Sequence, residues 1–253
     1  MKKIWITLGV LVVLAGFVLL SVWHEWRVVQ KSIQTYFRWH YGREQMVWEY
    51  PFSQHWRLWK GSHRINFSDG DHSPALDFYA VSHPQLVARL TYDRYGARYD
   101  NYGALRRGYY KSQALKKRLF KAGERGAVVV PSEMAYETDT RDFVVYWEAA
   151  DTLAMQQLVD RCIALLREEQ RRNRWMGLDV RFTNKQYMDE ITAAKYSDLY
   201  YYLEIPDDRY RLYYWHGTTD EIPQLDNRVK RDDMAASQLS PQAGEETNTE
   251  AGE

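Results

Sequence analysis

Residues 143–183 read FVVYWEAADTLAMQQLVDRCIALLREEQRRNRWMGLDVRFT, and this stretch decides the fold class. Its first five residues are continuously apolar and rich in β-branched and aromatic side chains, the pattern of a strand buried on both faces. Asp151 then offers an N-cap, and Met155, Leu158, Val159, Cys162, Ile163 and Leu166 fall within an arc of about 140° at ~100° per residue, an amphipathic helix. After Gly177 the run Leu178, Asp179, Val180, Arg181, Phe182 alternates as a half-buried strand does. A helix between two strands requires sheet and helix to pack on each other, so the chain is neither all-α nor all-β.

Working outward, residues 126–130 end at Pro131 and read as another buried strand. Before it, Asp100 or Asn101 can cap a helix that closes near Gly123. Upstream, extended segments are expected near residues 64–67, 76–81 and 86–92, with residues 92–103 forming a tyrosine-rich loop. Downstream, residues 198–205 and 209–215 flank Pro206-Asp207-Asp208 as a hairpin, with Leu199, Leu203, Ile205 and Leu212 on its apolar face. The expected fold is α+β: an N-terminal transmembrane helix followed by one mixed sheet with two packed helices. The order β-α-β-β-α-β corresponds to a ferredoxin-like split βαβ with extra strands at its flanks.

Toward the N-terminus, Lys2 and Lys3 precede residues 4–23, which hold no ionisable side chain. Twenty residues at ~1.5 Å each span about 30 Å, the thickness of a bilayer's hydrocarbon core. Trp5 at one end and Trp23 with Trp26 at the other occupy interfacial depths. A cleaved signal would have a shorter apolar run and small residues at its end, whereas this one ends Ser21-Val22-Trp23. Residues 4–23 are therefore expected to be an uncleaved signal anchor behind a basic head at 1–3. Its direction is contested: Arg27, Lys31, Arg38 and Arg43 follow the run and favour a cytoplasmic C-terminal side, whereas the short basic head favours export. Export is the expectation.

Trp26, Val29, Ile33, Phe37 and His40 or Tyr41 continue the helical period, so residues 24–42 are expected to form an amphipathic juxtamembrane helix stopped by Gly42. An α+β domain is expected over 43–224. Residues 225–253 lack aromatics and read as a disordered acidic tail. The chain has 253 residues with 34 Lys+Arg and 34 Asp+Glu, but this neutrality is uneven. Asp232, Asp233, Glu245, Glu246, Glu250 and Glu253 follow the last base, so residues 1–231 hold 34 bases against 28 acids. The balance offers no broad attraction to nucleic acid, and specific nucleic-acid binding is not expected. A mean hydropathy of -0.61 excludes a multi-pass membrane protein. The single cysteine, Cys162, excludes an internal disulfide and sits on an apolar helix face as an inert core residue.

The helix after Asn101 carries Arg106, Arg107, Lys111, Lys116, Lys117, Arg118 and Lys121 and no acid. All but Lys116 share an arc of about 140°. Arg106, Arg107, Lys111, Lys117, Arg118 and Lys121 are the candidate binding residues, suited to an anionic polymer, lipid headgroups or an acidic envelope protein. A solvated face that keeps the helix soluble accounts for the same pattern. His63, Asp69, Asp71, His72 and Asp77 assemble atoms suited to a metal or to proton transfer, but without an established ligand spacing. Phosphate-binding glycine loops, nucleophile elbows and paired CxxC motifs are absent. The expected protein is a single-pass, membrane-anchored binding or interaction module with the lipid bilayer as one partner, and no cofactor, metal or catalytic residue is assigned. The rivals are a membrane-anchored hydrolase or metal-dependent enzyme using the His63 to Asp77 region, and a cytoplasm-facing membrane-bound regulator.

Overall fold

The computed structural model describes residues 2–62, 74–93, 96–131, 141–149, 151–201, 213–222 and 228–231. It divides into two compact units, residues 1–103 and 104–253. The class is α+β, but the strands form two sheets, of four and five strands, and the expected single sheet is corrected accordingly.

The first unit begins with helix α1, Lys2–Tyr41, which runs unbroken through the apolar segment and the juxtamembrane stripe. It ends at Gly42, whose φ of 61° is in the left-handed region that suits a glycine after a helix. Trp5–Tyr41 is the one helix among the described residues that is long and apolar enough to cross a membrane. Beyond Trp23 the same helix turns one face inward: Val29 and Ile33 are fully buried and Phe37 nearly so. Phe37 meets Phe78 at 4.6 Å and Trp48 at 6.1 Å between ring centroids. The helix thus serves a second purpose as a core element of its own unit.

Four strands form an antiparallel meander in the order β1, Met46–Trp48, β2, Ala75–Ala80, β3, Ala88–Asp93, and β4, Gly96–Asp100. Helix α2, Phe52–Ser62, follows β1 after Pro51, whose carbonyl accepts the His55 N–H at 3.4 Å. The expected loop at 92–103 is instead largely strand: β4 pairs with β3, with a bulge between Thr91 and Tyr92. Gly96 explains the misreading. At φ 130° it adopts a backbone conformation closed to other residues, and a Cβ there would lie 1.9 Å from the Ser32 hydroxyl of α1. Its glycine serves a close approach inside a strand. The expected strand at 64–67 lies outside the described residues.

In the second unit, α3, Tyr102–Leu119, leads into β5, Gly126–Val129, then β6, Asp142–Glu148, α4, Thr152–Arg171, and β7, Gly177–Thr183. β6 and β7 are adjacent, parallel and joined by α4. Asp151 caps α4, accepting the Ala154 N–H at 2.7 Å, and Leu158, Val159, Cys162, Ile163 and Leu166 are buried beneath it. Helices α5, Lys185–Ala193, and α6, Tyr196–Tyr201, precede β8, Tyr213–Thr218, and β9, Lys230–Arg231. The sheet order is β5-β6-β7-β8-β9.

This is not the split βαβ arrangement. That topology needs the strand near residue 90 beside those at 143 and 178, but β3 has both neighbours, β2 and β4, in the first sheet. Pairing with strands adjacent in sequence closes shorter loops and costs less chain entropy than a distant pairing. The expected hairpin at 198–215 is also corrected. Its first strand is helical through Tyr201, and residues 202–212 and 223–227 lie outside the described residues. Of the apolar face read there, Leu199 is described and is buried on α6, while Leu203, Ile205 and Leu212 lie outside the described residues.

Candidate functional site

The basic helix divides into parts with different surroundings. On its inner side Ala104, Leu105, Ser112, Leu115 and Leu119 are buried, and Ser112 shares a 3.0 Å hydrogen bond with the hydroxyl of Tyr196. Arg107, Lys117 and Lys121 are exposed, while Arg106 and Lys111 are half-buried and engaged with neighbours. Arg118 belongs to a structural network, donating to Glu169 at 3.0 Å and to Glu168 at 2.9 Å on α4. Arg141 also donates to Glu169, at 2.7 Å, and Arg172 lies 3.5 Å from it. Burial opposes charge on Glu169, yet the hydrogen bond from Arg118 and the charges of Arg118, Arg141 and Arg172 outweigh it and hold the carboxyl below its usual range. Arg161 grips Glu124 through two hydrogen bonds, 2.8 and 3.0 Å, and donates to the Leu119 carbonyl at 2.7 Å, closing the end of α3. The stripe of six candidate bases is therefore not one uniform surface: Arg118 fastens α3 to α4, while Arg107, Lys117 and Lys121 face solvent.

Of the His63 to Asp77 cluster, only Asp77 is described; His63, Asp69, Asp71 and His72 lie outside. Asp77 stands opposite Arg89 across β2 and β3, 3.5 Å from its guanidinium, and is mostly exposed. Among the described residues no group of three or more His, Cys, Asp or Glu side chains is placed to hold a metal. Cys162 is buried, and desolvation pushes its thiol up to about 12, which removes the thiolate that reactivity needs.

Sequence reasoning missed two polar arrangements in the first unit. Ser82, His83 and Glu44 meet at the turn after β2: Ser82 Oγ donates to Glu44 at 2.8 Å and lies 2.8 Å from His83 Nδ1, with Glu44 3.8 Å from the same nitrogen. In a nucleophilic triad the imidazole stands between hydroxyl and carboxylate, one on each nitrogen. Here both oxygens crowd Nδ1, so the group braces a turn.

The second arrangement is internal. His55 is nearly fully buried, with Nδ1 2.7 Å from the Tyr50 hydroxyl and Nε2 3.9 Å from Glu25 of α1. Tyr50 is hydrogen-bonded in turn to Tyr92, and Gln54 donates to Tyr92 at 2.9 Å. With the ring's one proton on Nε2, Nδ1 accepts from Tyr50 and the Nε2–H faces Glu25. Burial lowers the His55 pKa, and Glu25 opposes that shift without cancelling it. Burial also pushes the Tyr92 phenol up to about 12. His55 Nε2 has no hydrogen-bond partner among the described residues. The available signal was Pro51 followed by apolar Phe52, Trp56 and Trp59 at helical spacing.

An open groove of about 560 Å³ lies along the outward side of α1, between Val28, Ser32, Thr35, Trp39 and Ala97 of β4. Trp39 is 83% exposed there. No protein-family model matches the chain, and neither a curated protein nor a solved structure matches it.

Proposed function

We propose that the chain is a single-pass, membrane-anchored interaction module whose folded part is exported and binds another component of the cell envelope. The observation that carries this reading is the continuity of α1: residues from Trp5 to Leu20 present their apolar side chains outward, and the same helix then supplies Val29, Ile33 and Phe37 to the core of a folded unit. A helix of that construction holds a domain at a bilayer surface without a flexible linker. The exposed bases Arg107, Lys117 and Lys121 support an anionic partner. Charge reversal at these three positions is expected to abolish salt-sensitive co-sedimentation of the detergent-solubilised chain with an anionic polymer; unchanged binding removes α3 from the interaction. A reporter fused after Glu253 tests export, and activity of a cytoplasm-specific reporter overturns it.

A second reading, a regulator facing the cytoplasm, is favoured by Arg27, Lys31, Arg38 and Arg43 after the span against Lys2 and Lys3 before it. The same fusion separates the two.

A further inference from the structure

The path of the chain from β1 into α2 descends along α1 toward the apolar segment. Trp48 packs against Phe37. Two residues later the Tyr50 carbonyl accepts from Gln30 at 3.4 Å and from the Trp26 indole at 2.9 Å. Phe52 meets Trp26 edge-on at 5.7 Å, and His55 reaches Glu25. Each step lies closer to the N-terminus of α1, so the contacts move from residue 37 to residue 25, about 18 Å along the helix axis. Val22 is fully buried, whereas Trp5, Leu8, Leu11, Leu14 and Phe17 are all exposed. The first unit therefore reaches the last turn of the apolar run, which ends at Trp23.

Glu25 and Trp26 lie within about 5 Å of that end, which is the depth of the headgroup layer outside a ~30 Å hydrocarbon core. Helix α2 begins at this level. Phe52, Trp56 and Trp59 recur at spacings of four and three and form one stripe, with the two indoles stacked at 5.4 Å. His55 points inward beside that stripe, and Arg57 is exposed on the other side. Trp23 and Trp26 add two more indoles at the same level, with the Arg27 guanidinium 5.1 and 5.5 Å from their rings. Indoles whose apolar bodies meet acyl chains while their N–H groups stay wet favour this depth, and a neighbouring arginine favours anionic headgroups.

We infer that α2 is an interfacial helix: its Phe52, Trp56 and Trp59 stripe seats in the headgroup and acyl boundary of the bilayer that α1 crosses, making a second membrane contact for the chain. This rests on the reading of α1 as a membrane span, and the experiment distinguishes the two.

The full-length Cys162→Ala chain is reconstituted into phosphatidylcholine vesicles containing phosphatidylglycerol, with single nitroxide labels on Leu14→Cys, Trp56→Cys, Trp59→Cys and Leu153→Cys. Collision with oxygen is compared with collision with a water-soluble nickel chelate. The Leu14 label is expected to be lipid-like and the Leu153 label water-like, with the Trp56 and Trp59 labels several-fold richer in oxygen collisions than Leu153. If both α2 labels match Leu153 while Leu14 is lipid-like, the interfacial helix is wrong and the anchor stands. A water-like Leu14 overturns both. Because labelling removes the tryptophans themselves, a Trp56→Phe, Trp59→Phe double variant supplies a second measurement. It is expected to lose part of the fluorescence that brominated lipid quenches in the parent chain; an unchanged quenched component overturns the inference.

Discussion

His55 is a titratable group in an almost dry site, and its environment sets a direction for the stability of the first unit. Its folded-state pKa lies below the ordinary value because burial disfavours the charged ring more than Glu25 favours it. The unfolded chain therefore binds the proton more readily. The contribution of neutral His55 is fully present above the unfolded pKa of about 6.5 and is lost as pH falls through that value toward the lower folded one. Thermal unfolding of the detergent-solubilised chain is expected to show a lower midpoint at mildly acidic than at neutral pH. His55→Asn should flatten that dependence. Glu25→Gln, which removes the carboxylate that raises the His55 pKa, should steepen it. A slope unchanged in both variants would show that other groups govern the acid response.

Among the elements, the approach of β4 to α1 is the tightest constraint. Gly96 combines a left-handed backbone with Ser32 in the space a side chain would need, and the next residue, Ala97, donates its N–H to the Ser32 hydroxyl at 3.2 Å. Asp100 at the far end of β4 receives hydrogen bonds from Tyr36 at 2.7 Å and Tyr41 at 2.6 Å of α1, and from the Tyr102 N–H at 2.8 Å. Gly96→Ala is expected to destabilise the first unit by roughly 1–3 kcal/mol, from strain and overpacking together, read as a lowered unfolding midpoint. Ser32→Ala removes the clashing oxygen but leaves the Ser32 Cβ 2.5 Å from the new side chain, the strained backbone, and an Ala97 N–H without its acceptor, so it should restore little of the loss.

The same elements show what periodicity could and could not reveal. Helix α4 and strand β6 were legible because α4 buries one face, from Leu158 to Leu166, and β6 buries five consecutive apolar residues on both of its faces, from Phe143 to Trp147; β7 buries Leu178, Val180 and Phe182, but Arg181 between them is buried too. Strand β4 was not, because Gly96 and Asp100 carry turn chemistry and its Arg98 and Tyr99 are exposed. Helix α2 hid its pattern in His55, a polar residue that occupies an inward position. The basic stripe of α3 was visible in the sequence, but the acids that engage it were not. Glu168 and Glu169 stand 50 and 51 residues from Arg118, and no local spacing connects them.

At the scale of the whole molecule, the apolar exposure is concentrated at one end of α1. Residues such as Trp5, Ile6, Val12 and Phe17 leave more than half of their surface uncovered, far beyond the scattered apolar exposure of ordinary soluble domains. Burying a single such side chain contributes about 1.5–3 kcal/mol, so the run as a whole strongly favours lipid over water. Membranes carrying the chain are expected to retain it through extraction at alkaline pH and release it only into detergent. Recovery in the aqueous fraction would show that the run is removed or shielded before the protein matures.

Helix α1 contains no proline, and its only internal glycines, Gly9 and Gly16, fall within the apolar run. No hinge residue therefore interrupts the path from Trp23 to Tyr41, a rod of about 27 Å. Its far end is fixed to the sheet through Phe37, Tyr36 and Tyr41. With α1 as the proposed span, a tilt of about 10° in a bilayer would carry the Tyr41 end, and the sheet fixed to it, sideways by about 5 Å.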